Sequence, residues 1–177
     1  MRKTLTAILT VALTLPLSIA ISPYAMANTG YRYWGYFQAE PGSSEWTMAM
    51  TGPTTNVKDG SVEGWMHTFS NDEINATGPR ISPDFAKLCK KIKPVANKKR
   101  IGLVVDFGPA AIRPRGESIP KRVNTCVQLD LGATGAEVLA AVAKIRAASS
   151  GFICGINGYP AKECSAEIKT PRSFLRK

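Results

Sequence analysis

The chain has 177 residues, 44% of them hydrophobic, and carries 23 Lys and Arg against 13 Asp and Glu for a net charge of +10. That is enough chain for one ordinary hydrophobic core. Beyond an N-terminal run, no stretch is long or apolar enough to cross a bilayer as a helix, which excludes a chain that spans the membrane with several helices.

In chain order, Met1-Arg2-Lys3 is followed by an apolar run from Leu5 to about Ile21 and then Ala25-Met26-Ala27. A basic start, a short hydrophobic segment and an A-x-A site are the parts of a cleavable secretory signal. Residues 1–27 are therefore expected to be removed, leaving residues 28–177 as a single secreted or envelope-attached domain. A retained N-terminal anchor is the alternative.

Tyr31 to Phe37 alternates like a strand, Glu40 to Ser44 contains Pro and Gly and should turn, and Trp46 to Met50 reads as the returning strand. Ser61 to Phe69 is a third strand, followed by a polar loop from Asn71 to Pro79. Ser82-Pro83-Asp84 predicts a helix start. Phe85, Leu88, Cys89 and Ile92 follow at i, i+3, i+4 and i+7, so Cys89 faces inward, and Pro94 ends the helix. Ile101 to Phe107 is short, branched and apolar, as suits a central strand covered on both faces. After the Pro/Gly loop from Arg113 to Pro120, Val123 to Leu129 alternates again, with Cys126 opposite Val123, Val127 and Leu129. Thr134-Gly135-Ala136-Glu137 is a capping box. It opens a helix predicted to run to Arg146, with Val138, Leu139, Val142 and Ile145 as its buried stripe. Gly151 to Ile156 is a last strand, ending at the Asn157-Gly158 turn signal. The expected class is α+β: one small, mostly antiparallel sheet with two helices, stapled by disulfides.

All four cysteines follow the signal, and an even number in an exported chain reads as disulfides with three possible connectivities. Cys154–Cys164 across the short turn and Cys89–Cys126 from helix to sheet are the favoured pairs. Zinc is the alternative, but no pair has C-x-x-C spacing and His67 is the sole histidine, so no metal or other cofactor is expected.

Charge is concentrated between residues 80 and 122, which hold twelve Lys and Arg against Asp84, Asp106 and Glu117. Lys87, Lys90, Lys91, Lys98, Lys99 and Arg100 are the candidate polyanion-binding residues. Nucleic acid is the usual first partner for such a patch, but an exported protein meets anionic envelope polymers or lipid headgroups instead. A solvated basic face is the plainer alternative.

Candidate chemistry is sparse. Glu63 and His67 share one face of a strand and are the residue types for general acid and base work, with Asp106 a third carboxylate. No nucleophile motif such as G-x-S-x-G accompanies them, so no catalytic residue is assigned. Val105-Asp106-Phe107-Gly108 imitates a kinase D-F-G but reads better as a strand meeting a turn, and Asn75-Ala76-Thr77 is a weak glycosylation sequon. Trp34, Tyr36, Trp46 and Trp65 fall on strands expected to be neighbours, and aromatic platforms suit sugars and flat ligands. Packing of the same rings into the core is the alternative.

Several segments in order carry a family resemblance: Tyr31-Arg32-Tyr33-Trp34, Trp46 with Thr51-Gly52-Pro53, Asp59-Gly60-Ser61-Val62-Glu63-Gly64-Trp65, Val104-Val105-Asp106-Phe107-Gly108, and Cys154-Gly155-Ile156-Asn157-Gly158-Tyr159-Pro160 with Cys164. Together they resemble an actinobacterial family of secreted proteins known by a locus-tag name. The resemblance implies export and a domain that is not a recognised enzyme. It also implies an accessory role beside membrane transporters in nutrient, notably vitamin, uptake. Met66 stands where a basic residue is expected after the Trp, and no C-terminal anchor is expected after Cys164. The first expectation is thus a non-enzymatic binding or accessory protein. The alternatives are an envelope-polymer hydrolase using Glu63, His67 and Asp106, and a small protease inhibitor presenting the Cys154–Cys164 loop.

Overall fold

The first strand, β1 (Thr29–Ala39), organises a six-stranded sheet in the computed structural model, which describes residues 29–175. The expected signal segment lies outside the described residues. β1 pairs along its length with β3 (Val62–Ser70), and its other edge takes β2 (Thr47–Met48) and β8 (Ala166–Lys169). All these pairings are antiparallel. β4 (Lys98–Asp106) then joins β3 in parallel, and β5 (Val123–Asp130) closes the order antiparallel to β4. A second, two-stranded sheet of β6 (Ile145–Ala147) and β7 (Ile153–Ile156) lies beside it. The fold is α+β, with two short helices and an antiparallel-dominated sheet.

Strand alternation sorts side chains onto two unequal faces. One carries Trp34, Tyr36, Trp65, Ile101, Leu103, Val105 and Val127 into the main core, roofed by helix α2 (Gly135–Ala140) through Val138 and Leu139 and by Ile156 and Tyr159. The other buries Ala39, Val62 and Val104 under Trp46, Ile81 and helix α1 (Phe85–Cys89) through Phe85 and Leu88. β4 is covered on both faces, as its unbroken apolar run predicts. α1 approaches so closely that a Cβ on Gly102 would stand 2.9 Å from Leu88 Cδ1. The disulfide Cys89–Cys126 ties α1 to β5, and Cys154–Cys164 closes the loop after β7. All four cysteines are consumed, so none is left as a thiolate.

Both helices are shorter than their sequence patterns. α1 is capped by Asp84, whose carboxylate accepts from Lys87 N at 2.9 Å, so Ser82 and Pro83 lie outside it. α2 has the predicted capping box but stops at Ala140. Asn157 accounts for the early stop: its N donates to Lys144 O at 2.8 Å and its Oδ1 accepts from Lys144 N at 2.9 Å. Ile145 is thereby committed to pairing with Ile156, and Val142, expected in the buried stripe, is exposed. Asn157 and Gly158 form the predicted tight turn with φ of 52° and 80°, the left-handed pair that a two-residue primed turn requires. The returning strand expected over Trp46–Met50 contracts to two residues. β8 carries no sequence signal beyond four alternating residues.

Candidate functional site

A cluster of charged side chains sits on the α1 side of the sheet, built around Asp106. Even-numbered residues of β4 face α1, so Asp106 emerges at the end of that row, fully buried. Arg80 donates to it three times: from backbone N and Nε to Oδ2 at 3.0 Å each, and from Nη2 to Oδ1 at 2.6 Å. Gly108 N donates to Oδ1 at 3.1 Å, which makes the D-F-G-like segment a strand end turning over its own aspartate. Arg122 Nη1 stands 3.6 Å from Oδ2. Burial alone would raise this carboxyl, but the hydrogen bonds from Arg80 and Gly108 outweigh it and hold Asp106 below the usual carboxylate range. It is an ionised anchor that orients guanidinium groups.

Those guanidinium groups line a cavity of about 630 Å³ together with Ser82, Lys87 and Asn124. A neighbouring cavity of about 360 Å³ shares Lys87, Leu88 and Asn124 with it and adds Lys90 and Lys91. The two form one groove between α1 and β5, bordered by five cations, with Asp84 as the acidic side chain on its rim.

The six predicted polyanion-binding residues do not stay together. Lys87, Lys90 and Lys91 are exposed along the groove. Lys98 is exposed and pairs with Asp130 at 2.6 Å. Arg100 is half-buried, donating to Ile92 O at 3.1 Å with its guanidinium 5.4 Å from the Phe85 ring centre. Lys99 corrects the expectation outright. It is on the opposite face of β4 and only 2% exposed. Its ammonium donates to Asn56 Oδ1, Val57 O and Ala133 O at 2.8, 2.5 and 2.7 Å. It ties the 51–57 loop to the residue before the α2 cap and is almost wholly shielded from solvent. Arg80 and Arg122 were inside the basic segment but outside the predicted site. Their shared carboxylate lies 26 residues from one and 16 from the other, and no motif spacing announces it.

The four aromatic candidates also divide. Tyr36 stacks on Trp65 with ring centres 4.7 Å apart, and Trp34 donates from Nε1 to Tyr159 O at 3.1 Å, all three in the main core. Their edges line an apolar cavity of about 170 Å³ with Pro53, Phe152 and Ile153. Trp46 is on the other face of the sheet, seated on Gly64 and Gly78, with Nε1 donating to Ile81 O at 2.7 Å.

Glu63, His67 and Asp106 are not brought together. Glu63 is buried, accepting from Tyr36 Oη, from Gln38 Nε2 at 3.2 Å and from Ser61 Oγ at 3.2 Å, and burial raises its carboxyl above the usual range. His67 lies further along the same face with Trp65 between them, caged by Trp34 and by Tyr159, whose ring centre is 5.2 Å away. Burial first, and then the nearby Arg32, lower the imidazole to about 4, so it is neutral at physiological pH. Asp106 faces the opposite side of the sheet.

The Cys154–Cys164 loop folds back on the domain. Tyr159 and Pro160 are buried, and Arg146 Nη2 donates to Cys154 O, Pro160 O and Glu163 O at 3.1, 2.9 and 2.6 Å. Among the described residues, no helix is long and apolar enough to cross a membrane. No curated protein and no solved structure matches the chain. The SCO2322-like domain matches residues 26–169, most of the sequence, and the chain belongs to that family.

Proposed function

We propose that this chain is an exported, non-enzymatic binding protein that attaches to anionic polymers of the cell envelope through the groove between α1 and β5. The observation that carries the reading is the continuity of that groove. Arg80, Arg122, Lys87, Lys90 and Lys91 border two adjoining cavities that share Lys87 and Asn124. Cations spread along two adjoining cavities fit an extended anion better than a compact one, and several weak contacts of about 1 kcal/mol per basic residue sum to useful retention. The separation of Glu63 from His67, and of both from Asp106, leaves the hydrolase reading without a converged site. The anchored Cys154–Cys164 loop offers a protease no extended segment. An accessory role beside a transporter in nutrient uptake rests on the family resemblance and fits a protein held at the cell surface.

Retention on isolated cell walls should fall steeply between low and high salt, because exposed charges are screened. Reversal of Lys87, Lys90 and Lys91 to Glu should abolish it. Reversal of the exposed Lys144, Lys162 and Lys169 to Glu changes net charge equally but lies elsewhere, and should leave most retention in place. Equal losses from both triples would reduce the groove to a solvated face.

A further inference from the structure

The Arg80 end of the groove differs in kind from the lysine end. Lys87, Lys90 and Lys91 are flexible exposed cations, whereas Arg80 is held by three hydrogen bonds to a fully buried carboxylate. Those bonds use its backbone N, Nε and Nη2. The guanidinium plane is therefore fixed, while the side chain remains 48% exposed at the cavity wall. Arg122, the residue just before β5, stands 3.6 Å from the same carboxylate and is one-third exposed. Lys87 projects from α1, and Asn124 supplies an amide from β5, two residues beyond Arg122. Donors thus approach one space from three elements: the segment before α1, α1 itself and the start of β5.

We infer that this end of the groove is a discrete phosphate-binding site, with Arg80 preset by its hydrogen bonds to Asp106, Arg122 beside it as the second jaw of the clamp, and Lys87 and Asn124 completing the shell. The inference rests on the reading of the groove as a polyanion site and names the group that site selects. A planar carboxylate offers two oxygens in one plane and satisfies one guanidinium fork. A tetrahedral phosphate offers oxygens in several directions and can accept from Arg80, Arg122 and Lys87 at once. Asp106 does not cancel the site, since it is buried behind the guanidinium groups and already saturated by Arg80 and Gly108. A preset clamp loses little side-chain freedom on binding, which is the main cost for an arginine on an open surface. The ligand is a phosphate group, whether a phosphodiester of a polymer, a lipid headgroup or a free ion.

The test is titration of the mature protein with inorganic phosphate at constant ionic strength, replacing chloride. The Nε–Hε resonances of Arg80 and Arg122 report binding. Saturable shifts at both, absent with acetate, are expected. Substituting Arg80 would strand buried Asp106, so the variants are Arg122→Gln and Lys87→Gln, which leave the Arg80–Asp106 bonds in place. Each should weaken phosphate binding about tenfold, the worth of one charge-assisted hydrogen bond. Lys144→Gln should leave it within twofold. Shifts that track acetate as closely as phosphate, or a phosphate affinity that stays within twofold in both variants, would overturn the site. A protein retained on walls in a salt-dependent way whose arginine resonances ignore phosphate would refute the clamp and keep the groove. A protein that binds phosphate but not walls would do the reverse. Parallel titrations with soluble poly(glycerol phosphate) and with phosphatidylglycerol vesicles distinguish the sources. Tighter binding of the polymer ties the clamp to the groove. Preference for vesicles or the free ion separates the clamp from the polymer reading, and the phosphate site stands.

Discussion

Three ionisable residues of ordinary appearance in the sequence have different work once buried. Lys99 binds three acceptors and holds a loop, Asp106 fixes arginines, and His67 is kept neutral inside an aromatic cage. His67 has a measurable signature. Its unfolded value is near 6.5 and its folded value about 4, so below pH 6.5 the unfolded chain binds a proton that the folded one refuses. Its contribution is complete above pH 6.5 and is lost as pH falls toward 4, by up to about 3 kcal/mol. Urea midpoints of the native protein should fall across that window. The same series on His67→Phe should lose much of the slope whatever its absolute stability. Parallel pH profiles for the two proteins would show that His67 titrates normally. Nothing in the strand sequence around His67 distinguishes this from a catalytic imidazole. Alternation puts it on the Glu63 face, but only the rings of Trp34 and Tyr159, from distant segments, decide that it is dry.

At the scale of elements, local chemistry places starts better than ends. The Thr134 capping box and the Asn157-Gly158 turn are both realised, because each needs only side chains within four residues. The end of α2 is set by Asn157, which competes for the backbone of Lys144 from thirteen residues away. β8 has almost no pattern of its own and exists because β1 presents an open edge at Thr29–Arg32. The two disulfides belong to this scale. Peptide mapping without reduction should recover Cys89–Cys126 and Cys154–Cys164 with no free thiol; crossed pairs would contradict the fold. The first pair closes 37 residues and the second 10. Replacing Cys89 and Cys126 with Ala should therefore cost about 1 kcal/mol more than replacing Cys154 and Cys164, each removal falling near 2–4 kcal/mol. Chemical denaturation of the two double variants measures the difference.

For the molecule as a whole, the expected address and the sheet are compatible. β1 begins at Thr29, two residues past the expected cleavage point after Ala27. Intact mass of the exported protein should correspond to a chain starting at Asn28. A species in the medium that retains Met1 would defeat the signal-peptide reading. The domain's charge is also organised globally. The basic segment from residue 80 to 122 contributes to both faces of the sheet, and its members serve separate ends: groove, clamp, surface pair and buried tie.

The sequence by itself determined the α+β class, the interior placement of β4, a preference among the three cysteine pairings and the segment of the chain in which positive charge accumulates. Each follows from periodicity, spacing or composition, which are local quantities. Tertiary structure alone decided which lysine is buried, that Trp46 parts from Trp34, Tyr36 and Trp65, and that Asp106 gathers Arg80 and Arg122. Those outcomes depend on which face of which neighbour a side chain meets after β3 and β4 pair in parallel. Desolvation and hydrogen-bond partners are set at that meeting, and no spacing along the chain encodes it.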